Sequence, residues 1–215
     1  MQAVLFDLDG TLLDTYDLLI TTFRHATRIV LGESIPDEVL MAKVGQPLNT
    51  QMWDFTDDPA VHEELCRVYR AYNAEIHDDK IKLFSGTVPM LERLKEAGYP
   101  LAVVTSKRHE VAMRGLDRFD LTSYFDFLIG SDDWTEHKPH PGPVMHGCDR
   151  LGLAPETCLY VGDSPFDMQA GNGAGCPTAA ALWGMFPQAV LEAEHPTFVC
   201  ADGREIPPLL SCRAV

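Results

Sequence analysis

The chain has 215 residues, 46% of them hydrophobic and 23% charged, an ordinary globular composition that excludes disorder and fibrous repeats. Its formal net charge is −15, from 17 Lys and Arg against 32 Asp and Glu, and no local basic patch offsets it. That field repels polyanions, so nucleic acid and anionic membrane surfaces are not expected partners.

The first residues carry no basic cluster, and their apolar run stops at Asp7, which does not read as a signal peptide. No apolar stretch approaches the ~20 residues that span a bilayer. The six cysteines (66, 148, 158, 176, 200 and 212) form no C-x-x-C pair. Buried free thiols, rather than a zinc or redox motif, are the expected reading. A cytoplasmic location follows as an expectation.

Short apolar runs occur at residues 4–6, 101–104, 127–129, 159–161 and 178–182, with a weaker sixth at 198–200. Continuous apolar runs suit strands buried on both faces of a parallel sheet. Helical patterns lie between them. Val88, Leu91 and Leu94 follow a spacing of three, with Pro89 near the start and Gly98 behind. Val144, Cys148 and Leu151 repeat at four and three between Pro143 and Gly152. Alternating strand and helix predicts a doubly wound, Rossmann-like α/β core with a parallel sheet.

Residues 15 to about 83 break the rhythm. Leu19, Phe23, Ala26 and Val30 share one helical face. Residues 38–43 and 61–77 also read as helical, with Leu65, Val68 and Tyr72 on a common face. No strong strand signal is present. The predicted organisation is an α/β core of residues 1–14 and 84–215 carrying an all-helical cap of residues 15–83.

The chemistry-bearing residues cluster at strand ends, where ligands gather in open α/β sheets. The first run leads into Asp7-Leu8-Asp9-Gly10-Thr11. Two crowded carboxylates repel unless a cation neutralises them, and a hard divalent ion with oxygen ligands suits that need. Alone, the pair is also compatible with surface or capping use. The second run leads into Thr105-Ser106-Lys107, whose hydroxyls could donate to an anion or cap the next helix. Lys138 lies in a Pro-rich loop, where an isolated lysine is ordinarily solvated. The fourth run leads into Gly162-Asp163-Ser164-Pro165-Phe166-Asp167, which brings two carboxylates to one side of a strand–helix junction. There they could equally serve a helix N-terminus.

Taken together, the four elements are far more specific. Asp7–Thr11 as D-L-D-G-T, Thr105 at a strand end, Lys138 in K-P-x-P and Asp163/Asp167 in G-D-S-x-x-D resemble, in order, the four motifs of the haloacid dehalogenase-like phosphohydrolases. The resemblance implies that Asp7 is the nucleophile forming an aspartyl-phosphate and that Asp9 is the acid and then the base. Thr105 and Lys138 would hold phosphoryl oxygens, with backbone N–H groups near Leu8 and Ser106 assisting. Asp163 would ligate Mg²⁺ with Asp7 and the Asp9 backbone carbonyl. Asp167 would orient Lys138 or a metal-bound water.

The resemblance also narrows the substrate. Asp9 argues against true dehalogenases, which lack an acid at that place. Lys43-Val-Gly45-Gln46-Pro47-Leu48 is similar to a cap loop of phosphoglycolate phosphatase-like members and related pyrophosphatases. Gly45 could admit close backbone approach, and Lys43 or Gln46 could read an anionic end, or the segment could be a plain helix–helix turn. Hexose-phosphate mutase relatives carry a His soon after the first motif, where Tyr16 and Asp17 stand here. The expected activity is a Mg²⁺-dependent phosphatase for a small phosphoglycolate-like monoester, with a pyrophosphatase or a sugar phosphomutase as alternatives. The expected partner is a small phosphorylated molecule, and the expected state a monomer or homodimer.

Overall fold

Val4 and Phe6 point to one side of the first strand, Ala3 and Leu5 to the other, and all four are fully buried. A strand covered on both faces needs helices on both sides, and this requirement sets the architecture. The computed structural model describes residues 1–211. Cys212 lies outside the described residues; the other five cysteines are free and buried, as the sequence predicts.

In chain order the elements are β1 (Ala3–Phe6), β2 (Leu13–Asp14), α1 (Tyr16–Leu31), α2 (Asp37–Leu40), α3 (Leu48–Met52), α4 (Pro59–Lys80), β3 (Lys82–Leu83) and α5 (Thr87–Glu96). There follow β4 (Leu101–Val104), α6 (His109–Arg118), β5 (Phe127–Ile129), α7 (Gly142–Leu151), β6 (Cys158–Gly162) and α8 (Pro165–Ala174). The chain continues through β7 (Thr178–Ala181), α9 (Gln188–Glu192), β8 (Phe198–Cys200) and α10 (Ile206–Ser211).

Six strands form one parallel sheet in the order β5-β4-β1-β6-β7-β8. One face packs on α5, α6 and α10 through Met90, Leu91, Leu116 and Ile206. The other packs on α7 and α8 through Val144, Cys148 and Ala170. This is the α/β fold that the apolar runs predict. The strand order reverses around β1, so a crevice opens at its carboxyl end. Phe6 is level with Val103 on β4 and Val161 on β6. Residues just beyond these three partners therefore meet at one depth.

Helices α1 to α4 pack around their own apolar cluster, which includes Phe23, Leu40, Met52, Leu65 and Tyr69. Phe23 meets Tyr69 edge-on, with ring centroids 4.9 Å apart. Two details differ from the sequence expectation. Tyr69, rather than Tyr72, is the buried aromatic of α4; Tyr72 stacks on His25 nearer the surface, at 3.8 Å between ring centroids. A two-stranded antiparallel pair, β2 with β3, joins the strands that lead into and out of the helical segment. Strands of two residues carry no readable alternation, which is why neither was anticipated.

Candidate active site

Asp7 leaves β1 directly, and its backbone N–H donates to Val161 O at 2.9 Å. The side chain is buried beside Lys138, with Nζ 2.8 Å from Asp7 Oδ1. The same ammonium donates to Asp167 Oδ1 at 2.6 Å. Asp163, at the end of β6, completes the group. Asp7, Asp163 and Asp167 each place a carboxylate oxygen within 4.8 Å of the others.

Asp167 has little left to offer a ligand. Its Oδ1 also lies 3.2 Å from the Tyr160 hydroxyl, and its Oδ2 accepts from the Ser164 N–H at 3.0 Å and the Ser164 hydroxyl at 2.6 Å. Ser164 is the N-cap of α8 and Asp167 its third residue, a capping box that fixes both side chains. Asp167 therefore serves the helix terminus and anchors Lys138 at once. Among the described residues Asp163 accepts only from Thr11 Oγ1 at 3.1 Å and the Met185 N–H at 2.8 Å, which leaves lone pairs free.

The electrostatics of the cluster call for a cation. Burial pushes the Asp7 carboxyl up to about 7, with Lys138 pulling it down and Asp167 pushing it further up. Burial, then Asp167 and Asp7, hold Asp163 well above the usual carboxylate range. One ammonium among three buried carboxylates leaves net negative charge. Hard oxygen donors with free lone pairs on Asp7 and Asp163 fit Mg²⁺. Gly10 makes room for the group: at φ +81° it turns beside Asp163, and a Cβ there would fall 2.1 Å from Asp163 Oδ2.

Asp9 lines the same cavity but is not part of this carboxylate cluster. Both of its oxygens accept from Lys107 Nζ at 2.8 Å. Any part it plays at a metal is thus left to its backbone carbonyl, as the resemblance implies. Thr105 and Ser106 follow β4 at the same level. The Thr105 oxygen accepts from the Lys107 N–H at 3.3 Å, and the buried Ser106 hydroxyl has no partner among the described residues. Neither caps α6, whose N-cap position is Arg108 and whose His109 N–H donates to Asp132 instead. The two hydroxyls thus stay available to an anion. Leu8 is buried with its side chain in the core, and its carbonyl accepts from Leu12 and Leu13 in the turn.

Above Asp7 and Asp9 lies a cavity of about 520 Å³ between the sheet edge and the helical segment, a volume suited to a small ligand. Thr105, Ser106, Lys107, Gly45 and Gln46 line it, and so do Tyr69, Arg70 and Asn73 of α4. Gly45 and Gln46 thus stand where the sequence places them. Lys43 does not join them, because it is paired with Asp54. Lys107 and the α4 residues are what sequence reasoning missed.

The haloacid dehalogenase-like hydrolase family model matches residues 4–181. The chain belongs to that family. A Caldanaerobacter subterraneus protein provisionally named pyrophosphatase PpaX is 40% identical over 202 residues, spanning 94% of this chain and 91% of the relative. A Bacillus cereus protein named pyrophosphatase PpaX is 34% identical, spanning 98% and 97%. Among solved structures, a predicted phosphoglycolate phosphatase from Haemophilus somnus superposes with a TM-score of 0.89 at 26% identity, covering 97% of each chain. No helix of the described residues is long and apolar enough to cross a membrane.

Gly45 has a further duty within this family member. Its φ is +105°, and a Cβ there would lie 2.7 Å from Ser164 Oγ and 3.1 Å from the Phe166 ring. The loop thus approaches the β6–α8 junction as closely as glycine permits. Gly45→Val is expected to hold the loop off that junction and lower kcat/KM by ~10²-fold, the scale set by misplacement of about an ångström. Steady-state kinetics beside an unchanged circular dichroism spectrum check this; full activity in the variant would show that the close approach is dispensable.

Proposed function

We propose that this protein is a Mg²⁺-dependent phosphatase that cleaves a small phosphorylated molecule through an aspartyl-phosphate on Asp7. The observation that carries the reading is the buried Asp7–Lys138–Asp167 array, with Asp163 beside it, under a ligand-sized cavity. In this reading Asp7 attacks phosphorus and the bond to the leaving oxygen breaks. Asp9 supplies the proton to that oxygen. Asp9 then takes a proton from the water that attacks the aspartyl-phosphate, releasing phosphate and restoring the Asp7 carboxylate. Thr105, Ser106 and Lys138 hold the transferring oxygens, and Asp167 keeps Lys138 in place. Asp7, Asp163 and the Asp9 carbonyl would hold Mg²⁺, which when bound supplies positive charge to the phosphoryl group. Residues 15–83 act as the cap that closes over the site and excludes water.

Two substrates fit the reading. A phosphoglycolate-like monoester follows from the cap-loop resemblance. Pyrophosphate is favoured by the names of the two curated relatives, which align over nearly the whole chain. Phosphate release from 2-phosphoglycolate and pyrophosphate decides between them by kcat/KM. EDTA should stop the reaction and Mg²⁺ restore it; undiminished turnover by thoroughly metal-stripped protein would refute the metal role.

The metal also links to stability. The folded metal-free protein retains a proton on Asp7 up to about pH 7, whereas the unfolded chain releases it near the ordinary carboxylate value of 3.8. Between those values the folded state binds more protons, so its stability falls as pH rises. Mg²⁺, which needs the carboxylate, offsets this loss. The rise in Tm on adding Mg²⁺ should therefore be larger at pH 8 than at pH 5.5, as measured by thermal denaturation in both buffers.

A further inference from the structure

Part of the wall of the cavity that Asp7 lines is built from one face of α4. Tyr69, Arg70, Asn73 and Ala74 stand at positions that adjoin on a helix, and all four line the cavity. Asn73 is anchored by its amide, which donates to Thr22 Oγ1 at 3.3 Å. Tyr69 is buried and lines the same cavity as Asp9.

Cations gather around this cavity although the chain as a whole carries a net charge of −15. They are Arg70, Lys107, Arg108 and Arg114. Three of them are engaged by carboxylates: Lys107 by Asp9, Arg108 by Asp132 and Arg114 by Asp78. Arg114 also donates to Ala74 O at 3.0 Å, which ties α6 to α4. Arg70 differs. Its side chain donates to the neutral Asn49 Oδ1 at 2.7 Å and has no carboxylate partner among the described residues. A guanidinium carries five N–H donors in a planar fork that matches a carboxylate or a phosphate. Arg70 thus presents a largely uncommitted charge to the cavity.

We infer that Arg70, which lines the same cavity as Asp9 and Lys107, reads a second anionic group on the leaving part of the substrate. The inference rests on the phosphatase reading and deepens it: the preferred substrate carries a phosphoryl group for Asp7 and a carboxylate or second phosphate for Arg70. A neutral leaving group, such as a phenol or an uncharged sugar, meets the same wall without an ionic partner. Lys107 serves the same half of the site, since its charge sits on Asp9, where the leaving oxygen must gain its proton.

The test is a ratio. For wild type and Arg70→Ala, kcat/KM is measured with Mg²⁺ on pyrophosphate, 2-phosphoglycolate and phenyl phosphate. The ratio of at least one anionic-tailed substrate to phenyl phosphate should fall tenfold or more in the variant, and the arm that falls identifies the second anion as phosphate or carboxylate. A ratio unchanged within twofold on both arms overturns the inference while leaving the phosphatase reading intact. Failure of wild type to release phosphate from any of the three defeats the phosphatase reading itself. A binding measurement guards against a misfolded variant. Titration calorimetry on Asp7→Asn with Mg²⁺ should show methylenediphosphonate binding at least tenfold tighter than methylphosphonate, an advantage that Asp7→Asn/Arg70→Ala loses. Equal affinities for the two phosphonates in Asp7→Asn count against the subsite.

Discussion

Asp7→Asn is expected to lower kcat by at least ~10³-fold, which corresponds to roughly 4 kcal/mol of transition-state stabilisation. The amide has the size of the carboxylate but no charged oxygen with which to attack phosphorus. Oxygen remains at the position that faces Lys138 Nζ, and Lys138 keeps its 2.6 Å contact to Asp167 Oδ1, so the array should hold its shape. The substitution also removes a buried carboxylate whose charge helps push the Asp163 pKa upward. In the absence of Mg²⁺ the variant should therefore be at least as stable as wild type at pH 8, where Asp7 would otherwise be ionised. Phosphate release gives the first quantity and thermal denaturation the second. Retention of more than a few percent of wild-type turnover would remove Asp7 from the role of nucleophile, whatever the stability.

The parts of this site that were legible in the sequence are those fixed by local rules. A short apolar run followed by an acidic residue says where a buried strand ends, and the observed pairing of Phe6 with Val103 and Val161 leaves Asp7, Thr105 and Asp163 within two residues of the paired positions. Gly98 and Gly152 mark helix ends by composition, and both adopt positive φ as expected. The illegible parts depend on chain segments far apart. Lys107 had no legible role because the Asp9 that it pairs with is 98 residues away. Arg70 lies on a helix whose apolar periodicity announces the packed face, while the cavity-facing face is mixed, with Tyr69 belonging to both. Ser106 and Thr105 allowed a capping role until Asp132, brought in by the loop after β5, was seen to accept from the first N–H of α6.

Lys138→Met should affect both stability and turnover, and the two effects separate by pH. The lysine is 2% exposed, and its ammonium lies between Asp7 and Asp167. Burial alone would lower its pKa, yet Asp167 and Asp7 together raise it well above the ordinary value, so it stays charged throughout the working range. Methionine fills similar volume without charge, and the carboxylates are left to repel one another in a dry site. Breaking a buried ion pair in this way costs ~3–5 kcal/mol. Loss of the charge that balances the transferring phosphoryl oxygens should lower kcat by ~10²–10³-fold. Protonation of Asp7 and Asp163 relieves the repulsion, so the variant's deficit in urea denaturation should be clearly smaller at pH 5 than at pH 8. Mg²⁺ should recover part of the stability at pH 8 through the same carboxylates, but not the turnover, because the ammonium that balances the transferring phosphoryl oxygens is still missing. A deficit independent of pH, together with kcat within tenfold of wild type, would mean that Lys138 is a packing residue and that the phosphoryl charge is balanced elsewhere.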